Sequence, residues 1–218
     1  NQLCNLSNIK LSVIPISLEN PTKDFSEEKA MSPNETLSAM KLGYNSVPKK
    51  CDLLILGEMG ISNTTSATAI ACALFNASVK KWTGLGTGIS EKNLKNKISV
   101  IQKGLKLHGK KFDSVIEILS CFGGREMAAI VGSVIAARIR GIPILLDGFV
   151  STTSAATAST GSATISALAA LSRSAKFRFA PSLYKLTRSN TAVDTPDAWP
   201  PFESYSRYGY LRGERSSE

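Results

Sequence analysis

The sequence predicts an α/β domain whose parallel sheet is covered by helices on both faces. Three observations carry this. The apolar runs LSVIPI (residues 11–16), DLLILG (52–57) and IPILLD (142–147) are short and lack polar alternation, as strands buried on both faces do. The segments between them carry helical periodicity or helix-capping signals. The composition is globular: 218 residues, 43% hydrophobic and 20% charged, which excludes collagen-like and wholly disordered chains.

Taken in order, residues 11–16 are expected as the first strand. Ser32-Pro33-Asn34-Glu35 is a capping box with proline at the first helical position, so a helix starts at Pro33 and ends near Gly43. Residues 52–57 form the second strand, and the Ala-rich stretch 63–74 a helix. Ser90 caps a helix whose Leu94, Ile98, Ile101 and Leu105 share one stripe. Residues 112–119 give a helix with Phe112, Val115, Ile116 and Leu119 inward, and residues 126–138, apolar on most sides, a buried helix. Residues 142–147 complete the strands.

Beyond residue 150 the composition shifts. Residues 151–180 are mostly Ser, Thr and Ala, no carboxylate occurs between Asp147 and Asp194, and residues 194–218 are rich in Pro, Ser, Arg and Tyr. A stretch so poor in bulky apolar residues buries little surface and is expected as an irregular, disordered or loosely helical tail. The chain therefore divides into a core, residues 1–152, and a divergent low-complexity C-terminal segment, residues 153–218.

A net charge of +9 fits a nucleic-acid surface or a basic protein that handles small phosphorylated substrates. The basic residues are spread along the chain without an RNP, zinc-finger or helix-turn-helix signature, which favours the second and predicts no nucleic-acid partner. No apolar run reaches the roughly eighteen residues that span a bilayer, and the first residues lack a signal-peptide layout, so no membrane association is expected. Cys4, Cys51, Cys72 and Cys121 form no CxxC pair, which argues against a zinc site or disulfide scaffold and fits the cytoplasm. One histidine, His108, nearly excludes catalysis by a His pair or a His–carboxylate–metal cluster; it reads as a solvated residue at a helix end. The chain starts without Met, as a fragment or processed product would.

Four turns could carry chemistry. In GEMGISNTT (57–65), between a strand and a helix, Gly57 and Gly60 permit close backbone approach, Glu58 places a carboxylate in the turn, and Asn63, Thr64 and Thr65 can cap or donate. By spacing alone this is as readily a structural turn. In GLGTG (84–88) the glycine turn precedes the helix carrying Lys97, a plausible phosphate cradle or a flexible link beside a solvated lysine. Asp147 ends the last strand, where it orients a substrate hydroxyl or caps the next turn. In FGGRE (122–126), Glu126 suits the positive end of the following helix.

Together GEMGISNTTSA (57–67), GTG (86–88), NKISVI (96–101), FGGREMAAIVG (122–132) and PILLDGFVST (143–152) resemble, in order and spacing, the nicotinate-nucleotide–dimethylbenzimidazole phosphoribosyltransferase family, which makes the lower-ligand nucleotide of cobalamin. Residues 24–43 are similar to the stretch preceding the first block, and the resemblance covers about residues 1–152. It implies a Rossmann-like, doubly wound parallel sheet with helices on both faces, a homodimer, and phosphoribosyl transfer from nicotinate mononucleotide to 5,6-dimethylbenzimidazole, with no cofactor or metal. The backbones of Gly60, Gly86 and Thr87, with Lys97, would then grip the 5′-phosphate, and Glu58 would lie beside the ribose and incoming base. The family's N-terminal benzimidazole segment would precede Asn1. Its general-base glutamate is faintly matched by Glu214 in Leu211-Arg212-Gly213-Glu214, and Ser172-Arg173-Ser174-Ala175 faintly matches another family motif. A carboxylate-poor tail after an intact core also fits a truncated or frame-shifted copy, and the alternative expectation is an inactive remnant that only binds a phosphorylated nucleotide.

Overall fold

The structure, a computed structural model, describes residues 2–84, 91–109 and 111–159. Their order is α1 (Gln2–Leu6), α2 (Pro33–Ser46), β1 (Leu54–Leu56), α3 (Asn63–Phe75), α4 (Val79–Trp82), α5 (Glu91–His108), α6 (Val115–Phe122), α7 (Arg125–Ile139), β2 (Ile144–Leu146) and α8 (Phe149–Ala158). The described part is a mostly helical α/β fold around a small parallel sheet. β1 and β2 pair with Leu54 opposite Ile144, Ile55 opposite Leu145 and Leu56 opposite Leu146.

Among the described residues one face of the sheet is covered by helices. Leu54, Leu56, Ile144 and Leu146 pack against the helical core, whereas Ile55 and Leu145 on the other face are each 49% exposed.

Residues 11–16 are also corrected. They form no strand, and Leu11, Val13 and Ile14 are exposed, with only Ile16 packed against the core. Pro15 offers no N–H to a ladder, and the two described strands pair with each other.

α2 starts where the capping box places it: the Ser32 hydroxyl accepts from the Glu35 N–H at 3.2 Å and the Glu35 carboxylate accepts from the Ser32 N–H at 2.8 Å. Gly43 does not end it. A Cβ at Gly43 would lie 1.9 Å from the Ala129 carbonyl oxygen, and one at Gly132 would lie 1.9 Å from that of Met40. The two glycines let α2 and α7 cross in backbone contact, and the Ser133 hydroxyl donates to the Gly43 carbonyl at 3.0 Å across the crossing.

α6 begins at Val115 rather than at 112, because the Ser114 hydroxyl accepts from the Glu117 N–H and fixes the first turn there. Phe112 still points inward, edge-on to Phe122 with ring centroids 5.7 Å apart. His108 is not simply solvated: Nε2 lies 2.8 Å from the Phe25 carbonyl, and the ring meets Phe122 edge-on at 5.2 Å.

α5 carries the expected stripe, with Ile101 and Leu105 buried and Ile98 packed against the core; its expected cap, Ser90, lies outside the described residues. α7 is buried along most of its length. α8 shows that a Ser/Thr/Ala-rich stretch can form a buried helix. Its hydroxyls bond back to carbonyls one turn earlier, Ser154 to Val150 at 2.8 Å and Thr157 to Thr153 at 2.8 Å, so small polar side chains pack against α3 and α7 with their hydrogen bonds made. The tail, residues 160–218, lies outside the described residues.

Candidate active site

The pairing of Leu56 with Leu146 makes the two strands end together, so the Gly57 turn and Asp147 leave the same carboxyl edge of the sheet, where open α/β sheets place ligands. From β1 the chain turns through Glu58, Met59, Gly60 and Ile61 into α3. Ser62 enters the helix with φ 64°, in the left-handed region, and makes no side-chain cap, leaving N–H groups of the first turn of α3 without a capping hydroxyl. Met59 and Ile61 point outward, 98% and 96% exposed.

Glu58 is held from two sides. Its Oε2 accepts from the Gly60 N–H at 2.7 Å and from the Asn63 carboxamide. A side chain at Gly60 would displace both neighbours, since a Cβ would lie 2.3 Å from Asn63 Nδ2 and 3.0 Å from Glu126 Oε1. Asn63 Nδ2 also reaches Glu126 Oε1 at 3.4 Å. Glu126 stands in the first turn of α7, where the helix dipole favours a carboxylate.

Lys97 projects from α5 to the start of α3. The residue is only 6% exposed; Nζ donates to the Thr64 hydroxyl at 2.9 Å and to the Gly84 carbonyl at 3.2 Å. Burial pushes its pKa below the ordinary lysine value, and among the described residues no carboxylate pairs with it. An ammonium carries three donors, and two are used among the described residues. A buried cation of this kind costs several kcal/mol unless an anion offsets it.

A groove of about 460 Å³ opens beside Gly60, Asn63 and Glu126; Glu58 and Lys97 do not line it. It is bounded by a strap (residues 16–22) that turns at Ser17–Asn20, where Ser17 takes φ 47° and the Asn20 N–H donates to the Ser17 carbonyl at 3.0 Å, and by the Gly60–Ser62 turn, the first turn of α3, and Gly124 to Glu126. Arg125 pins the strap: it donates to the Asn20 carbonyl and to Glu35 Oε1 at 2.7 Å, with its side chain 12% exposed.

The structure thus brings Glu58, Gly60 and Lys97 to one end of α3. Asp147 is exposed at the neighbouring strand end and does not line the groove. Gly86, Thr87 and Glu214 lie outside the described residues. The link of Asn63 and Glu126 to Glu58, and the strap, have no counterpart in the sequence reading. The FGGRE turn stands out for its glycines, but nothing in linear spacing says that two turns 63 residues apart meet.

The phosphoribosyltransferase family DBI_PRT matches residues 1–178, which extends the similarity past residue 152. The chain is 47% identical over 156 residues to the nicotinate-nucleotide–dimethylbenzimidazole phosphoribosyltransferase of Mesorhizobium japonicum, covering 72% of this chain and 46% of that protein. It is 44% identical over the same length to the protein of that name from Ruegeria pomeroyi, with the same coverage. The chain spans about half the length of the curated relatives it matches. Its fold is similar to the crystal structure of CobT from Thermus thermophilus, with a TM-score of 0.59 and 26% identity over 69% of this chain and 51% of that one.

Proposed function

Because this chain belongs to the DBI_PRT phosphoribosyltransferase family, we propose that it transfers a 5-phosphoribosyl group from nicotinate mononucleotide to 5,6-dimethylbenzimidazole, yielding α-ribazole 5′-phosphate and nicotinate for cobalamin. The relatives' names supply the two substrates. The observation that carries the reading is Lys97, a buried ammonium without a carboxylate partner among the described residues, set against the first turn of a helix. The 5′-phosphate supplies the missing anion, and helix N–H groups share its charge. The similarities name the enzyme and lend no support to the inactive-remnant reading.

The chemistry is a displacement with inversion. A ring nitrogen of the benzimidazole attacks the anomeric carbon from the face opposite nicotinate. The bond from that carbon to nicotinate breaks, and its electron pair quenches the pyridinium charge. The incoming base then gives up its ring proton. Because the leaving group is already cationic, the protein's work is to fix the phosphate, align the base and accept that proton. Lys97, with the backbones of Gly86 and Thr87, grips the phosphate, and the Gly60 N–H joins them on leaving Glu58 Oε2, to which it donates at 2.7 Å; Asp147 orients a ribose hydroxyl from the neighbouring strand end. Glu58 lies beside the ribose and base, and the proton goes to Glu214 or, failing that, to Glu58.

In the same reading the full sheet is Rossmann-like and doubly wound, and the enzyme works as a homodimer in the cytoplasm. For the sheet, support comes from the parallel pairing of β1 with β2 and from the likeness to the CobT structure. Among the described residues no helix is long and apolar enough to cross a membrane.

The test is an assay of the 218-residue chain with both substrates, following α-ribazole 5′-phosphate by chromatography. The chain should form product. Glu58→Gln should lower kcat more than it changes KM, and Glu214→Gln should lower kcat by on the order of a hundredfold or more if Glu214 is the base. No product from the wild-type chain, or no change in either variant, contradicts the assignment.

A further inference from the structure

We propose that Glu126 is a positioning residue for Glu58, acting through the Asn63 carboxamide. Glu58 would swing freely in an exposed turn, but its Oε2 is fixed by the Gly60 N–H at 2.7 Å and by Asn63. The Asn63 amide is itself aimed, because the same Nδ2 lies 3.4 Å from Glu126 Oε1. The Glu126 carboxylate reaches across the groove from the first turn of α7 to the first residue of α3.

Glycines on both sides make this approach possible. A Cβ at Gly124 would lie 2.4 Å from Glu126 Oε2, and one at Gly60 would lie 3.0 Å from Glu126 Oε1. The carboxylate therefore occupies the space that side chains at both glycines would fill. Gly60 and Gly124 serve the same contact from two separate turns, and the starts of α3 and α7 meet through it. An amide bridging two carboxylates passes the orientation of one to the other, since turning Asn63 to serve one acceptor redirects it from the other.

What Glu58 does in catalysis rests on the transferase reading; how Glu58 is held does not. The experiment labels glutamate side-chain carboxyls with carbon-13 in the 218-residue chain and assigns the Glu58 resonance by its loss in Glu58→Gln. Glu126→Ala should move that resonance, and Glu126→Gln should return it toward its wild-type position, because the amide oxygen accepts from Asn63 in the same place. Where transfer is measurable, Glu126→Ala should lower kcat about tenfold with KM for nicotinate mononucleotide unchanged within about twofold, and Glu126→Gln should regain most of that loss. A Glu58 resonance unmoved by Glu126→Ala, or moved equally by both variants, overturns the proposal. A moved and rescued resonance in a chain that makes no product leaves the proposal standing and sinks the transferase reading instead.

Discussion

Lys97 shows at the scale of one residue how a site is held at the expense of stability. Its ammonium is buried against Thr64 and Gly84 with no carboxylate among the described residues to balance it, and burial lowers its pKa. A lysine whose folded pKa lies below its unfolded value is held less readily charged in the folded state. Its penalty is largest below the folded pKa and shrinks as pH rises toward the ordinary lysine range. Lys97→Met should therefore raise the Tm of the ligand-free chain at pH 7, and the gain should narrow toward about pH 10 in thermal melts. A lower Tm at pH 7 would mean that the two hydrogen bonds outweigh the burial. Periodicity and spacing alone do not separate Lys97 from Lys92 and Lys95 on the same helix; the family resemblance does, and the burial of Lys97 agrees with it.

At the scale of elements, the sequence signals that proved reliable are the local ones. The capping box of α2 places its start because the bonds it needs lie within four residues. Glu35 is held below the usual carboxylate range by the Ser32 N–H, then by the Ser32 hydroxyl and Arg125. Its stabilising contribution is present above its unfolded pKa and disappears as pH falls through its lowered folded pKa. Glu35→Gln should thus lower Tm at pH 7 and approach the wild type as pH drops below about 4, the unperturbed carboxylate range. Ends decided by tertiary contact were not legible. Gly43 has the sequence mark of a helix stop, yet it lies inside α2 because α7 passes over it. Gly43→Ala should cost about 1–3 kcal/mol or more in urea unfolding, an overpacking penalty with backbone as the obstacle. Leu37→Ala on the same helix, where the side chain is 46% exposed, should cost clearly less.

Over the whole molecule, the α/β class was legible from two of the three apolar runs, while most of the third, residues 11–16, lies exposed on the surface. Hydrophobicity marks a segment as fit for burial, and the partner that buries it must come from elsewhere in the chain. The site followed the same rule: Glu58, Gly60 and Lys97 were legible as motif residues, whereas the Asn63–Glu126 bridge needed the fold to meet. The exposed face of the two described strands gives a direct check of this packing. In the 218-residue chain Ile55→Ala should cost about 1 kcal/mol, and Ile70→Ala in the fully buried face of α3 about 2–5 kcal/mol, by equilibrium unfolding.

The proposed seat of the phosphate lies between Lys97 and the start of α3, and calorimetric titration of the chain with nicotinate mononucleotide reads its occupancy. Lys97→Ala should weaken binding on the order of ten- to a hundredfold, the loss of one charge-assisted hydrogen bond. Equal affinity in the wild type and Lys97→Ala would contradict the account.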